Sequence, residues 1–228
     1  MSYPTGDVRD LLAHVGREAV RAGLVIGSGG NLSARDPGAD ACWVTASGTW
    51  LDRLDRGSFS LVRIADGAVL DGNPKPSSEV LLHLHTYRRR PDVNALVHLH
   101  PQTSVLLDSM GYDVSLVTID HAYYLREVRR TPFVQSGTEE LAATGAEAVA
   151  DGANAVVLGH HGCSVLGGTV EEAHKRAFNL EEAAKATYAA LVLAGGDASK
   201  VPSCPPEYLE TVRRKENAAA DGGVTAGA

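Results

Sequence analysis

His98 and His100 stand two residues apart in Asn94-Ala95-Leu96-Val97-His98-Leu99-His100-Pro101, an apolar run that stops at a proline. The run predicts a short buried strand over 94–100, bounded by Arg90-Pro91-Asp92 on one side and Pro101 on the other. Side chains alternate across a strand, so His98 and His100 face one side and Leu99 the other. Two imidazoles at a strand end make half of a zinc site; two polar residues satisfied by water are the plainer alternative. A catalytic zinc takes three protein ligands and keeps a position open. The third candidate lies in Gly159-His160-His161-Gly162. Adjacent residues on an extended chain face opposite ways, so only one of these two histidines can point at a metal, and the flanking glycines permit close backbone approach. Cys163 could also ligate, although a free cysteine is more often a small core residue.

Glu79 is the acid of interest. It follows Ser77-Ser78 at the start of a predicted helix, close in sequence to the histidine strand, where amide dipoles and a cation would both favour a carboxylate. A first-turn glutamate that only stabilises the helix dipole is the competing explanation. His83-Leu84-His85 repeats the His-Leu-His tripeptide but falls inside that helix. Residues i and i+2 of a helix lie roughly 200° apart and cannot converge on one ion. His83 and His85 are therefore read as packing or surface histidines.

The elements that must position these residues alternate along the chain. An amphipathic helix is predicted from about Thr5 to Ala22, with Gly23 closing it. The glycine-rich Gly27-Ser28-Gly29-Gly30-Asn31-Leu32-Ser33 then leads into a strand. Ala41 to Ala46 reads as the next strand, followed by the loop Ser47-Gly48-Thr49. Leu61–Ile64 and Ala68–Leu70 form a hairpin about Asp66-Gly67. Val80 to Tyr87 is a helix with Ser77 or Ser78 as N-cap, and Gln102 to Ser109 a short helix. Ser115 to Ile119 reads as a strand. Ser136 with Glu139 has capping-box spacing and opens a helix to about Ala150. Ala155 to Leu158 is a buried strand, and Thr169 with Glu172 caps a long helix to Leu193. With no repeat and no internal boundary, one α/β domain over residues 1–214 is the economical organisation. The alanine- and glycine-rich 215–228 is expected to be a disordered tail.

Composition sets the outer limits. At 228 residues, 44% hydrophobic and 21% charged, the chain resembles an ordinary globular protein. A net charge of -7 argues against a general nucleic-acid or anionic-membrane binder. Three scattered cysteines and the lack of a leader or a membrane-length apolar run point to a reducing cytoplasm.

Four signatures in order resemble the class II aldolase/adducin family: Gly30-Asn31-Leu32-Ser33, Ser47-Gly48, Pro76-Ser77-Ser78-Glu79, and His98-Leu99-His100 with His161-Gly162. The likeness runs from about Thr5 to Leu193. It implies a three-layer α/β/α domain with a largely antiparallel sheet, and a cytoplasmic homotetramer with active sites between subunits. It further implies a zinc enzyme, with manganese or cobalt as substitutes, acting on a small phosphorylated sugar. His98, His100 and His161 match the family's metal ligands, His161 rather than His160 because the family's ligand directly precedes the glycine. Glu79 matches its catalytic base. Gly30, Asn31, Ser47, Gly48, Ser77 and Ser78 match its phosphate-binding positions, where hydroxyls and exposed amides can hold a dianion without a basic cluster. The family's aldolases carry an acid tyrosine whose counterpart here falls near Ile119. His121-Ala122-Tyr123-Tyr124 instead resembles the epimerase segment, with Tyr123 at the place of the acid and Tyr124 next to it. Glutamate after Ser77-Ser78 favours aldolase, since the epimerases carry aspartate there. The expected reaction is retro-aldol cleavage of a ketose 1-phosphate of the L-fuculose type to dihydroxyacetone phosphate and an aldehyde. A ribulose-phosphate 4-epimerase, a sugar-acid phosphate decarboxylase and a non-catalytic adducin-like module are the alternatives.

Overall fold

The computed structural model describes residues 3–212 and 214. Eight strands form one sheet: β1 (Asn31–Ala34), β2 (Ala41–Thr45), β3 (Phe59–Arg63), β4 (Val69–Gly72), β5 (Ala95–Leu99), β6 (Val128–Thr131), β7 (Ala155–Leu158) and β8 (Gly162–Gly167). Their spatial order is β4-β3-β2-β1-β5-β8-β7-β6. Every neighbouring pair is antiparallel except β6 with β7. Six helices pack on the two faces: α1 (Val8–Arg21), α2 (Val80–Arg89), α3 (Gln102–Ser109), α4 (Ile119–Leu125), α5 (Glu139–Ala148) and α6 (Val170–Leu193). The three-layer α/β/α arrangement with a largely antiparallel sheet is as expected.

The pleat of β5 shows how the layers arise. Val97 and Leu99 enter one core with Leu12, Val15 and Leu180 of α1 and α6. Leu96, one residue out of phase, enters the other core with Leu82, Leu84 and Leu141 of α2 and α5. Burying each such side chain contributes about 1.5–3 kcal/mol. A strand covered on both faces has little polar alternation, which is why β5 reads as a continuous apolar run.

Local signals fix most helix ends. Asp7 accepts the Arg9 N–H at the start of α1. Thr169 Oγ1 accepts the Glu172 N–H at 3.1 Å and caps α6, but Glu172 Oε2 accepts the N–H of Gly168, one residue before the cap, at 2.7 Å, so only the Thr169 half of the expected box forms. Two caps move. The N-cap of α2 is Glu79 rather than Ser77 or Ser78, and its carboxylate makes no capping bond. Ser77 Oγ instead accepts the Glu79 N–H at 3.2 Å, leaving the acid free to turn elsewhere. At α5 the cap is Thr138, which accepts from Leu141; Ser136 precedes Gly137, whose φ of +74° turns the chain before the helix.

Residues 115–117 are not a strand. Ser115 donates its N–H to Thr187 Oγ1 on α6 and its hydroxyl to the Pro202 carbonyl, and the Leu116 carbonyl accepts from Cys204. The segment's polar groups are satisfied against α6 and the C-terminal region, away from the sheet. Thr118 then caps α4 through the His121 N–H, so Ile119 is helical. Strands β6 and β8 complete the sheet without having been expected. The stretch 215–228, expected to be a tail, lies outside the described residues. Among the described residues no helix is long and apolar enough to cross a membrane.

Candidate metal centre

Antiparallel pairing gathers the chemistry at one end of the sheet. His98, the penultimate residue of β5, lies opposite Asn31 of β1 and Ser164 of β8. His100 follows one residue beyond the strand, on the side of His98. The β7–β8 turn supplies the third ring. Within it His160 adopts a left-handed φ of +56°, sending its own ring outward to Ser109 Oγ at 3.1 Å and His161 inward. Two glycines allow the approach. A Cβ on Gly162 would sit 2.4 Å from the Leu99 carbonyl oxygen and 2.6 Å from the His100 ring; one on Gly30, at φ +73°, would sit 2.5 Å from the His98 carbonyl oxygen.

The result is a cluster of Glu79, His98, His100 and His161 whose ligand atoms all lie within 4.8 Å of one another. His98 Nε2 is 3.1 Å from His100 Nε2 and 3.3 Å from Glu79 Oε2, and His161 Nε2 is 3.2 Å from Glu79 Oε1. A tetrahedral zinc with bonds of about 2.0–2.1 Å has ligand–ligand edges of roughly 3.3–3.4 Å. The separations therefore suit one shared ion. His98 is fully buried and Glu79 is 9% exposed.

The electrostatics agree with that geometry. Burial, reinforced by the charges of His98 and His161, pushes the His100 imidazole down to about 4, so its lone pair is available at neutral pH. Burial raises the Glu79 carboxyl, but hydrogen bonds from His161 and His98 outweigh it and hold the group well below the usual carboxylate range. Three imidazoles and a carboxylate, with no lysine or arginine among them, form a donor set suited to a divalent cation. His98 Nδ1 lies 3.3 Å from Ser164 Oγ; with an ion on Nε2 the ring would carry its proton on Nδ1 and donate it to that hydroxyl, which would orient it.

The loops expected to take a phosphate meet beside this cluster. Ala46 pairs with Pro76 across an isolated antiparallel bridge. Ser47 N–H donates to the Lys75 carbonyl at 2.9 Å and Ser77 N–H to the Thr45 carbonyl at 3.0 Å. Ser47-Gly48 and Ser77-Ser78 are thereby zipped together, with Gly30-Asn31 at the start of neighbouring β1. Asn31's own amide is turned inward, its Nδ2 donating to Glu79 Oε2 at 2.9 Å.

Other candidates separate. His83 and His85 diverge as helical geometry requires: His83 is fully buried, and His85 pairs with Glu139 at 2.7 Å. Cys163 is buried in the core opposite Leu99 and is not a member of the cluster. Tyr123 and Tyr124 lie on α4, where they line a cavity with Thr169, Glu171 and Lys175 at the start of α6. That is the end of β8 remote from Gly162, so one chain does not bring either tyrosine to the Glu/His3 cluster. Sequence reasoning does not find Ser164, because β8 is uniformly buried and shows no alternation to place it on a face.

The family model for the class II aldolase and adducin N-terminal domain matches residues 10–188. The chain belongs to this family. Among curated class II relatives, an L-fuculose phosphate aldolase of Methanocaldococcus jannaschii is 32% identical over 163 residues, covering 72% of this chain and 86% of the relative. A 3-oxo-tetronate 4-phosphate decarboxylase of Escherichia coli is 36% identical over 183 residues, covering 78% of this chain and 84% of the relative. A solved L-fuculose 1-phosphate aldolase superposes with a TM-score of 0.81 at 27% identity, covering 94% of this chain and 98% of that one. The class II aldolase/adducin chain described here is accordingly an enzyme of the lyase type, with a Glu/His3 cluster able to hold a metal ion.

Proposed function

We propose that the protein is a zinc-dependent class II aldolase that cleaves a ketose 1-phosphate to dihydroxyacetone phosphate and an aldehyde. The observation that carries this is the Glu79 carboxylate lying against two of three converging imidazoles, 3.2–3.3 Å from their Nε2 atoms. His98, His100 and His161 would hold the ion, which when bound supplies a Lewis acid for the substrate carbonyl. Glu79, buried and ionised, would leave the ligand set as substrate enters and carry the proton to and from the dihydroxyacetone carbon. The amides and hydroxyls of Gly30-Asn31, Ser47-Gly48 and Ser77-Ser78 would hold the phosphate, Asn31 through its main chain because its side-chain amide is engaged by Glu79. Tyr123, then Tyr124, would protonate or deprotonate the aldehyde oxygen. Tyr123 is 51% exposed at the far end of the sheet and can reach a cluster only across a subunit boundary, which fits a homotetramer with shared sites.

A second reading has an observation of its own. The relative with 36% identity is a decarboxylase of a phosphorylated keto acid, and the same cluster could support loss of carbon dioxide. A metal assay followed by product analysis on a panel of ketose 1-phosphates and 3-oxo acid phosphates separates the two. Aldehyde release is the expected outcome. Carbon dioxide release without aldehyde assigns the decarboxylase, and an isomerised sugar assigns the epimerase.

A further inference from the structure

Beneath the cluster lies a chain of five buried polar side chains that ligand geometry alone does not require. Glu79, His83 and Tyr87 follow one another at i, i+4 and i+8 along α2, on one face of the helix. Asn31 and Ser33, two apart on β1, share the face of that strand that meets them. The two rows interdigitate. Asn31 Nδ2 lies 2.9 Å from Glu79 Oε2, Asn31 Oδ1 contacts His83 Nε2, His83 Nδ1 is 2.6 Å from Ser33 Oγ, and Ser33 Oγ is 2.7 Å from the Tyr87 hydroxyl. None of the five is more than 9% exposed.

Donor and acceptor counting gives this chain a single direction. An ionised carboxylate only accepts, so Asn31 must present its NH2 to Glu79 and its carbonyl oxygen to His83. His83 must then donate from Nε2. Burial pushes this imidazole down to about 3, with the charge of His98 adding to the effect, so it is neutral and carries one proton. Its Nδ1 therefore accepts the Ser33 hydroxyl proton, and Ser33 Oγ in turn accepts from Tyr87. Every donor points towards Glu79.

We infer that His83, held in its Nε2–H form by Ser33 and Tyr87, is a positioning residue that fixes the orientation of the Asn31 amide and through it the Glu79 carboxylate. Without the His83 donor the Asn31 amide is free to rotate and place its oxygen against Glu79, which repels the carboxylate from its seat. The chain matters most when substrate displaces Glu79 from the cation, because the Asn31 hydrogen bond then remains to aim it. This last step rests on the proposed role of Glu79 as proton carrier; the direction of the chain does not.

The test has two arms. Nitrogen-15 NMR of histidine-labelled, zinc-loaded wild-type protein reads the tautomer of His83 without any turnover, the resonance being assigned by its loss in His83→Gln. A neutral Nε2–H imidazole is expected; an Nδ1–H form or an imidazolium overturns the inference. Kinetics form the second arm. His83→Leu should lower kcat about 10–100-fold, as loss of an outer hydrogen-bond partner typically does, with KM little changed. His83→Gln, whose side-chain NH2 can stand in for Nε2–H, should recover most of that loss. A Gln variant no better than Leu, or a folded, zinc-loaded Leu variant with wild-type kcat, overturns it. Full turnover in Glu79→Gln would remove the proton-carrier role instead, and the NMR arm would still decide the direction of the chain.

Discussion

Glu79 occupies the N-cap of α2 yet leaves the helix amides to other partners and turns its carboxylate onto His98 and His161. A residue serving as proton carrier there should matter more for rate than for metal affinity, because three imidazoles remain to hold the ion. Glu79→Gln is expected to reduce kcat by about 10²–10⁴-fold, the usual scale of acid/base help, while metal content by elemental analysis stays near the wild-type level. Turnover at the wild-type rate would exclude the role. His98 and His100 were legible in sequence because strand alternation alone puts them on one side. The choice of His161 over His160 was not legible from the residues themselves, since it depends on His160 taking a left-handed φ that nothing but the family likeness signalled. Helical spacing correctly kept His83 out of the metal site. It could not show that His83 faces Asn31 and Ser33, because that contact belongs to a pairing of α2 with β1 more than forty residues away.

At the scale of elements, the centre depends on where strands end. Gly162 begins β8 with no room for a methyl group beside Leu99 and His100. Gly162→Ala should push the His100 ring out of place and weaken zinc retention by 10-fold or more, a loss of at least about 1.4 kcal/mol, readable by competition with a chelator. Retention unchanged from wild type would show that the turn can yield. The segment after His100 is fixed by Glu181 of α6, whose two oxygens accept the Thr103 and Ser104 N–H groups at 3.0 Å, with the Ser104 hydroxyl donating at 2.9 Å. A carboxylate buried at a helix N-terminus satisfies amides that would otherwise lack partners. Glu181→Ala should therefore cost about 1–3 kcal/mol in urea unfolding, and a loss below half of that would contradict the assignment. The long amphipathic and capped helices α1 and α6 were readable from periodicity and cap residues. Residues 115–117 were misread as a strand because their apolar pattern answers to α6 and the C-terminal region, and β8 was missed because burial on both faces erases alternation.

Across the whole molecule, acid stability follows from the imidazoles that folding hides. Burial lowers His83 to about 3 and both His100 and His174 to about 4, against an unfolded value near 6.5. The unfolded chain thus binds more protons below pH 6.5, and stability falls as pH falls through that window. For the metal-free protein each of the three should remove about 2–3 kcal/mol between pH 7 and pH 4.5, seen as a declining urea midpoint. A midpoint flat across that range would mean the rings are hydrated or already charged. The α/β/α layering and the largely antiparallel sheet were implied by four short signatures in sequence order, although composition and periodicity alone reached only an α/β domain and the strand order was not legible. The place of Tyr123 and Tyr124 beside Thr169 and Lys175 was not legible, because it is set by the packing of α4 against the start of α6, more than forty residues on.

The central claim is that three imidazoles from two distant segments close on one cation with a carboxylate beside them. X-ray absorption at the zinc edge of the zinc-loaded protein reads that shell directly. The expected spectrum shows three imidazole nitrogens at about 2.0–2.1 Å with oxygen completing the shell, and His161→Ala removes one imidazole contribution. Sulfur scattering from a cysteine, an all-oxygen shell, or a spectrum indifferent to His161→Ala would contradict it.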